Sequence, residues 1–440
     1  MFLLDLLRFC SETSLTVSAL GLVFVASGFI ALIGINIFEI ATGKRLRKPL
    51  PAPAIAEADL PHVLVQIPVF NEPEMVADAL RSAAALDWPR DRLHIQLLDD
   101  STDVTTAIAQ AAVNKLRAQG FDVLHLCRAD RTGYKAGALA AGMSHCDAPF
   151  VAVLDADFRP PVNWLRVIVP TLIGDPNAGF VQSRCEFSNY RTNWLTRVQG
   201  LMMDAHYTME QSTRYRAGWL FQFNGTGGIW RREAIEAAGG WSSDSLCEDL
   251  DLTVRAQIAG WHGIFAMEPA IPGLVPEKVR HWQVQQKRWS NGFVQVTRKL
   301  MRQVWTTSNW SFGAKLSASF LILIQAFYPC AAVATGSLAS CLLLQGGDPT
   351  DLLPLIEIIL ALIALVAVGM TLMPYIVLQR GSMLNYVKTL GLLTPLMIYV
   401  SLSNAPSILK TVFGHQDTWK RTPKRRVVPA AAPSDTFDGF

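Results

Sequence analysis

Hydrophobic and polar positions divide the 440-residue chain into three zones. Ser14 to Phe38 carries no charge over 25 residues, and about 20 apolar residues suffice for a helix to cross a bilayer. A signal peptide has a shorter apolar region, roughly 7–15 residues, followed by a small-residue cleavage site. This stretch instead runs into Lys44, Arg45, Arg47 and Lys48. It reads as an uncleaved anchor whose C-terminal end lies in the cytoplasm. After a Pro/Ala linker, short apolar runs alternate with helical patterns. Val63–Pro68, His94–Leu98, Asp122–Leu126 and Phe150–Leu154 read as strands, with helices at Met75–Leu86, Val104–Arg117 and Lys135–Ser144. The strand runs are continuously apolar rather than alternating, as expected where helices cover both faces. The pattern predicts a mainly parallel sheet with right-handed crossovers.

Charge disappears again over Leu316–Gly347, Ile358–Gln379 and Thr389–Leu409. The expected organisation is a transmembrane helix and basic flank (1–48), a linker (49–61) and a cytoplasmic α/β domain (62–302). C-terminal transmembrane and interfacial helices (303–413) and a basic cytoplasmic tail (414–440) follow. Three C-terminal crossings would put Lys420, Arg421, Lys424, Arg425 and Arg426 outside, against the positive-inside tendency. A break in 316–347 near Tyr328-Pro329 would reverse this. So would Ser403–Phe413 lying along the interface, which is the arrangement expected here.

Composition narrows the class. Half of the residues are hydrophobic and only 17% are charged, against about 25% in soluble domains. Disordered chains, coiled coils and small disulfide scaffolds are excluded, and a purely soluble enzyme is disfavoured. A net charge of +3 is too small to imply a nucleic-acid partner. The seven cysteines form no C-x-x-C pair, so neither a zinc site nor a disulfide framework is indicated. The eight histidines show no metal-ligand spacing either.

Acidic pairs follow two of the strands: Asp99-Asp100 and Asp155-Ala156-Asp157. In open α/β sheets ligands bind at that edge. Carboxylates beside a buried strand are costly unless a cation pairs with them, and a Mg²⁺ or Mn²⁺ ion holding a diphosphate would do so. A solvated turn or helix cap is the plainer alternative for one such pair. Cys247-Glu248-Asp249 opens a helical pattern, where acidic residues also cap. Gln285-Gln286-Lys287-Arg288-Trp289 combines a phosphate-binding guanidinium with a sugar-stacking ring, or is an amphipathic surface helix. Gln222–Gly228 is a Gly-rich turn or ligand loop without P-loop spacing.

In this order, Asp99-Asp100, Asp155-x-Asp157, Glu248-Asp249 and Gln285-x-x-Arg288-Trp289 resemble the membrane-embedded family 2 glycosyltransferases. Gln66–Glu72, Gly133–Leu139 and Phe223–Thr226 are most similar to the cellulose synthase-like, mannan synthase-like branch and its bacterial relatives. The resemblance covers roughly residues 60–300. It implies a GT-A fold, mainly parallel and Rossmann-like, inserted between transmembrane helices. By that resemblance Asn71, Glu72, Asp99, Asp100, Lys135, Asp155 and Arg288 bind the donor. Asp157 binds the metal, Mg²⁺ or Mn²⁺. Asp249 is the general base, with Glu248 beside it. Trp289, Gln285, Phe223, Asn224 and Gly225 face the acceptor.

The implied reaction is inverting transfer of a hexose from UDP-glucose or GDP-mannose to a growing β-linked glycan. Membrane lipids are the expected surroundings, in a bacterial inner membrane, with product export by the chain itself or an accessory protein. Transfer of one sugar to a lipid acceptor is the alternative, and a catalytically dead scaffold is the reading from another class. Cys247 departs from the Thr of cellulose synthases, and no appended cyclic-nucleotide-binding domain is expected.

Overall fold

The computed structural model describes residues 2–44, 46, 52–345, 353–414 and 421–422. Most of the basic flank after the anchor, the start of the linker and nearly all of the basic tail lie outside the described residues. The chain opens with α1 (Phe2–Thr42). Then β1 (Val63–Val69), α2 (Val76–Ala84), β2 (Leu93–Asp99), α3 (Thr105–Ala118), β3 (Asp122–Cys127), α4 (Tyr134–Met143) and β4 (Phe150–Val153) alternate as their apolar periods predict. Next come α5 (Trp164–Ile173), β5 (Ala178–Phe187), α6 (Trp194–Asp204), a π-helical segment (Ala205–Gln211) and α7 (Ser212–Arg216). The sheet segment ends with β6 (Gly228–Arg231), α8 (Arg232–Ala237), α9 (Glu248–Ile258) and β7 (His262–Gly273). Five further helices close the chain: α10 (Val279–Thr306), α11 (Phe312–Leu323), α12 (Phe327–Gln345), α13 (Leu353–Val377) and α14 (Met383–Val412).

The seven strands form one sheet in the order β3-β2-β1-β4-β6-β5-β7. All share one direction except β6, which runs antiparallel to β4 and β5. Buried Val, Ile and Leu of β1, β2 and β4 form its core together with the inward faces of the covering helices. The loop before β6 therefore arrives at the edge where β1 to β4 end. That reversal gathers sequence-distant segments at one rim.

Among the described residues, three helical stretches are long and apolar enough to cross a membrane: Leu6–Thr42, Phe312–Leu344 and Met383–Val412; Ala361–Val377 is a shorter apolar piece. Within the predicted 316–347 stretch, a 3₁₀ turn at Ile324–Ala326, just before Tyr328-Pro329, separates α11 from α12, and the two run on as one apolar stretch over Phe312–Leu344. Ser403–Phe413 is not a separate flat element: its residues to Val412 are the last turns of α14, despite Pro395 and Pro406. That end is held on α10, where Asn291 Nδ2 donates to Ser407 Oγ (2.9 Å) and Arg298 donates to the Thr411 carbonyl (3.0 Å).

Polar ties fasten the apolar helices to α6 and α7. Arg216 donates to Glu39 (2.6 Å) and Asn36 (2.7 Å) of α1. Arg380, between α13 and α14, grips the buried Asp204 carboxylate with two bonds of 2.6 and 2.7 Å. Both sites use the planar guanidinium fork, which matches paired oxygens.

Candidate active site

The edge where β1 to β4 end carries the acidic residues, and each is held by a nearby donor. Asn71 follows β1 with φ of 56°, a left-handed conformation that Asn tolerates. Its backbone N–H donates to Ser101 Oγ (2.9 Å), and its amide oxygen accepts from Thr102 N (2.8 Å). Asn71 thus pins the loop that carries Asp99 and Asp100. Glu72 begins the turn into α2 through its carbonyl. Asp100 accepts a bidentate grip from Arg128, at 2.9 and 2.5 Å. Arg128 also donates to the Thr132 and Tyr134 carbonyls, which shapes the start of α4. Beside it Arg131 stacks on the Phe70 ring, 3.3 Å from its centroid. Sequence reasoning overlooked both arginines, although a basic residue after β3 is the natural partner for Asp100.

Lys135, in the first turn of α4, is the hub. Its ammonium donates to Asp155 Oδ1 (2.6 Å) and to the Gly225 carbonyl (2.7 Å), and lies 3.6 Å from Glu248 Oε1. Burial opposes its charge, but Asp155, Glu248 and Asp249 outweigh that and hold the ammonium strongly protonated. Three carboxylates around one ammonium leave an excess of negative charge. Burial, and then the Glu248 charge, push the Asp249 carboxyl up to about 7, with Lys135 opposing. A carboxyl poised there suits proton transfer near neutral pH.

Gly225 makes this convergence sterically allowed. Its φ is +76°, and a Cβ there would sit 2.9 Å from Asp249 Oδ2 and 3.4 Å from Lys135 Nζ. Around it, Thr226 Oγ1 accepts from Asp155 N (2.9 Å), and Thr253 Oγ1 accepts from Phe223 N (3.0 Å). Asn224 N donates to Gln182 Oε1 (2.8 Å), and its amide oxygen accepts from Gln222 (2.7 Å). That same oxygen also faces His206 Nε2 of the π-helical segment at 3.2 Å. Phe223 corrects one expectation. Its ring is fully buried against Phe180 and Trp230. The side chain anchors the loop in the aromatic core, which leaves only the Phe223 backbone for a contact with an acceptor.

Asp157 is buried and accepts from Leu274 N at 3.3 Å, beyond the end of β7. Asp155 and Asp157 therefore offer only carboxylate oxygens, a donor set that suits a hard divalent cation such as Mg²⁺ or Mn²⁺.

Helix α10 packs against the start of α9, which carries Glu248 and Asp249. Gln285, Arg288, Trp289 and Gly292 share one face at helical spacing. A Cβ on Gly292 would fall on Cys247 Sγ, so only Gly lets α10 approach the start of α9. Cys247 Sγ in turn faces the Trp289 carbonyl at 3.7 Å. Burial, then the Asp249 and Glu248 charges, push this thiol well up, with Arg288 opposing. Cys247 is thus a packing residue whose small side chain seats the Arg288-Trp289 turn beside Glu248-Asp249. Gln285 is buried on the helix, and its neighbour Gln286 accepts from the Tyr328 hydroxyl (3.1 Å) of α12. Lys299 of α10 also pairs with the buried Asp251 of α9 (2.8 Å).

With this geometry, residues 61–292 match the family model described as "Glycosyltransferase like family 2". The chain belongs to that family. The family 2 chain is 36% identical over 319 residues to a probable glucomannan 4-beta-mannosyltransferase 2 of Oryza sativa subsp. japonica, covering 68% of this chain and 55% of that protein. It is 38% identical over 268 residues to glucomannan 4-beta-mannosyltransferase 2 of Arabidopsis thaliana, covering 60% and 50% respectively. The chain thus spans about half the length of these curated relatives. They are plant proteins, and they give the expected bacterial branch no support. A mannosyltransferase from Pyrobaculum calidifontis, solved with GDP-Man and Mn²⁺, superposes with a TM-score of 0.54 at 21% identity, covering 86% of this chain and 98% of that one. The shared fold is GT-A, with its mainly parallel central sheet flanked here by apolar helices.

One group at this rim was missed in the sequence. Asp99 Oδ2, His125 Nε2 and Cys127 Sγ lie within 4.8 Å of one another. Histidine spacing by itself hid them, because Asp99 comes from a neighbouring strand. His125-x-Cys127 at the end of β3 was the available signal, since alternate strand residues share a face.

Proposed function

We propose that the chain is an inverting, metal-dependent membrane hexosyltransferase that extends a β-linked glycan of mannan, glucan or glucomannan type. The convergence of Lys135, Asp155, Glu248 and Asp249 beneath Gly225 carries this reading. GDP-mannose is the donor to test first, because the similar plant proteins are named glucomannan 4-beta-mannosyltransferases; UDP-glucose is the second.

Asn71, Glu72, Asp99 and Asp100 line the nucleotide side, and Lys135 and Arg288 bind the diphosphate. Asp157, with Asp155 nearby, holds the Mg²⁺ or Mn²⁺, whose chemistry when bound is to neutralise charge on the leaving diphosphate. Asp249 takes the proton of the acceptor hydroxyl as that oxygen bonds to the anomeric carbon. The carbon–oxygen bond to the diphosphate breaks on the opposite side, and its electron pair leaves with the nucleotide. One base suffices, because no enzyme nucleophile takes part. Trp289 stacks on the terminal acceptor sugar, with Gln285, Asn224 and Gly225 at its border. Such alignment of two substrates is a large part of the barrier reduction. The catalytic domain, residues 62–302, faces the cytoplasm from the inner membrane, and the apolar helices pass the product outward.

Purified protein in lipid vesicles with Mg²⁺ or Mn²⁺ is given labelled GDP-mannose or UDP-glucose, and the product is sized before and after glycanase digestion. A large product cut by mannanase or cellulase is expected. Label confined to organic-extractable lipid would replace the glycan acceptor with a lipid one.

A further inference from the structure

His125 and Cys127 end β3, and Cys127 is in register with Asp99 of β2. Their three ligand atoms meet on one side of the sheet. His125 Nε2 lies 3.0 Å from Asp99 Oδ2 and 3.5 Å from Cys127 Sγ. The other ring nitrogen, Nδ1, faces Gln110 Oε1 at 2.8 Å. Gln110 presents its oxygen there because its own amide nitrogen donates to Asn114 Oδ1 (2.8 Å). The two ring nitrogens thus face two oxygen acceptors, and the space between Nε2 and Asp99 Oδ2 is one that a cation, a proton or a metal ion, fills.

We propose that Asp99, His125 and Cys127 form a binding site for a thiophilic divalent cation of the Zn²⁺ class, separate from the carboxylate pair Asp155 and Asp157. The ligand set is the one zinc prefers: thiolate, imidazole and carboxylate. Metal–ligand bonds of about 2.0–2.3 Å at tetrahedral angles place ligand atoms roughly 3.3–3.5 Å apart. The observed Nε2–Sγ spacing of 3.5 Å matches, and the Nε2–Oδ2 spacing of 3.0 Å is the shorter, hydrogen-bond distance that an ion would widen slightly. The Gln110 contact is the outer hydrogen bond that fixes ring orientation in metal-bound histidines. Buried Asp99 and His125 supply two rigid ligands, and the exposed Cys127 closes the site from the solvent side. A hard cation such as Mg²⁺ gains little from thiolate and imidazole, so the two sites sort metals by chemistry.

The test uses the full chain in detergent or nanodiscs, stripped with chelator and titrated with Co²⁺. A thiolate-to-cobalt charge-transfer band with tetrahedral visible bands is expected, and Zn²⁺ should displace it. Cys127→Ser should abolish the charge-transfer band while leaving the fold intact by circular dichroism. Gln110→Leu should weaken Co²⁺ binding by about 10–100-fold. Absence of the band in the wild type, or its persistence in Cys127→Ser, overturns the site. A second arm rests on the donor reading above: Zn²⁺ should weaken nucleotide binding, because it engages Asp99, and Cys127→Ser should relieve that effect. If the cobalt band behaves as expected but nucleotide binding ignores Zn²⁺, the metal site stands and the placement of Asp99 in the nucleotide pocket falls.

Discussion

At the scale of single residues, one ammonium is shared among three carboxylates, and the proposed chemistry rests on that sharing. Asp249→Asn should keep donor affinity and lower turnover by roughly 10²–10⁴-fold, the usual worth of a positioned base; turnover within tenfold of wild type would remove Asp249 from that role. The Asp249 carboxyl is pushed up to about 7, and a base works only when deprotonated. The kcat/KM profile should therefore rise with pH through about 7, as that parameter reports the free enzyme. Lys135 opposes the upward push on Asp249. Lys135→Gln should accordingly move the acid limb to higher pH as well as weaken donor binding. An acid limb that stays in place would separate Lys135 from the base. Gly225→Ala puts a Cβ 2.9 Å from Asp249 Oδ2 at a positive φ. It should lower kcat more than it raises the donor KM.

At the element scale, α9 and α10 act as a pair. The start of α9 carries Asp249, the proposed base, and the first half of α10 carries Arg288 and Trp289. They meet where Gly292 receives Cys247, and Lys299 ties them again at the fully buried Asp251. Gly292→Val would drive the helices apart and shift Arg288-Trp289 relative to Asp249. Activity should fall steeply while the sheet remains folded, which thermal unfolding followed beside turnover would show. Equal activity in the variant would mean that the α9–α10 distance does not matter to the reaction. The π-helical segment at Ala205–Gln211 has a related role. Segments of that kind often mark functional sites, and this one aims His206 at the Asn224 amide.

Across the whole molecule, a few charged contacts join α6 and α7 to the apolar helices. Asp204 is 1% exposed and its bidentate partner Arg380 lies between two helices of the C-terminal block. Arg380→Ala would leave a buried carboxylate alone, a loss of about 3–5 kcal/mol. Its unfolding temperature should drop, and the double variant with Asp204→Asn should recover much of the loss. No recovery would show that Arg380 acts through packing on the Tyr190 ring, 5.0 Å from its centroid, rather than through charge.

The first half of the sheet, and the acidic residues that follow its strands, are legible in the chain alone. The period of apolar residues defined β1 to β4 and the helices between them within one or two positions. Burial on both faces leaves an unbroken apolar run, and that signal is local. The acidic pairs after β2 and β4 were legible for the same reason: their place depends only on where a strand ends. Tertiary structure alone decided the rest. The antiparallel insertion of β6 is a pairing between distant segments, and it delivers Gly225 to Lys135 and Asp249. Phe223 sits beside polar loop residues in the chain, yet the aromatic core claims its ring. Arg128 finds Asp100, and His125 and Cys127 find Asp99, across neighbouring strands. Spacing along one segment carries no record of such encounters, because register between strands is set by the packed sheet as a whole.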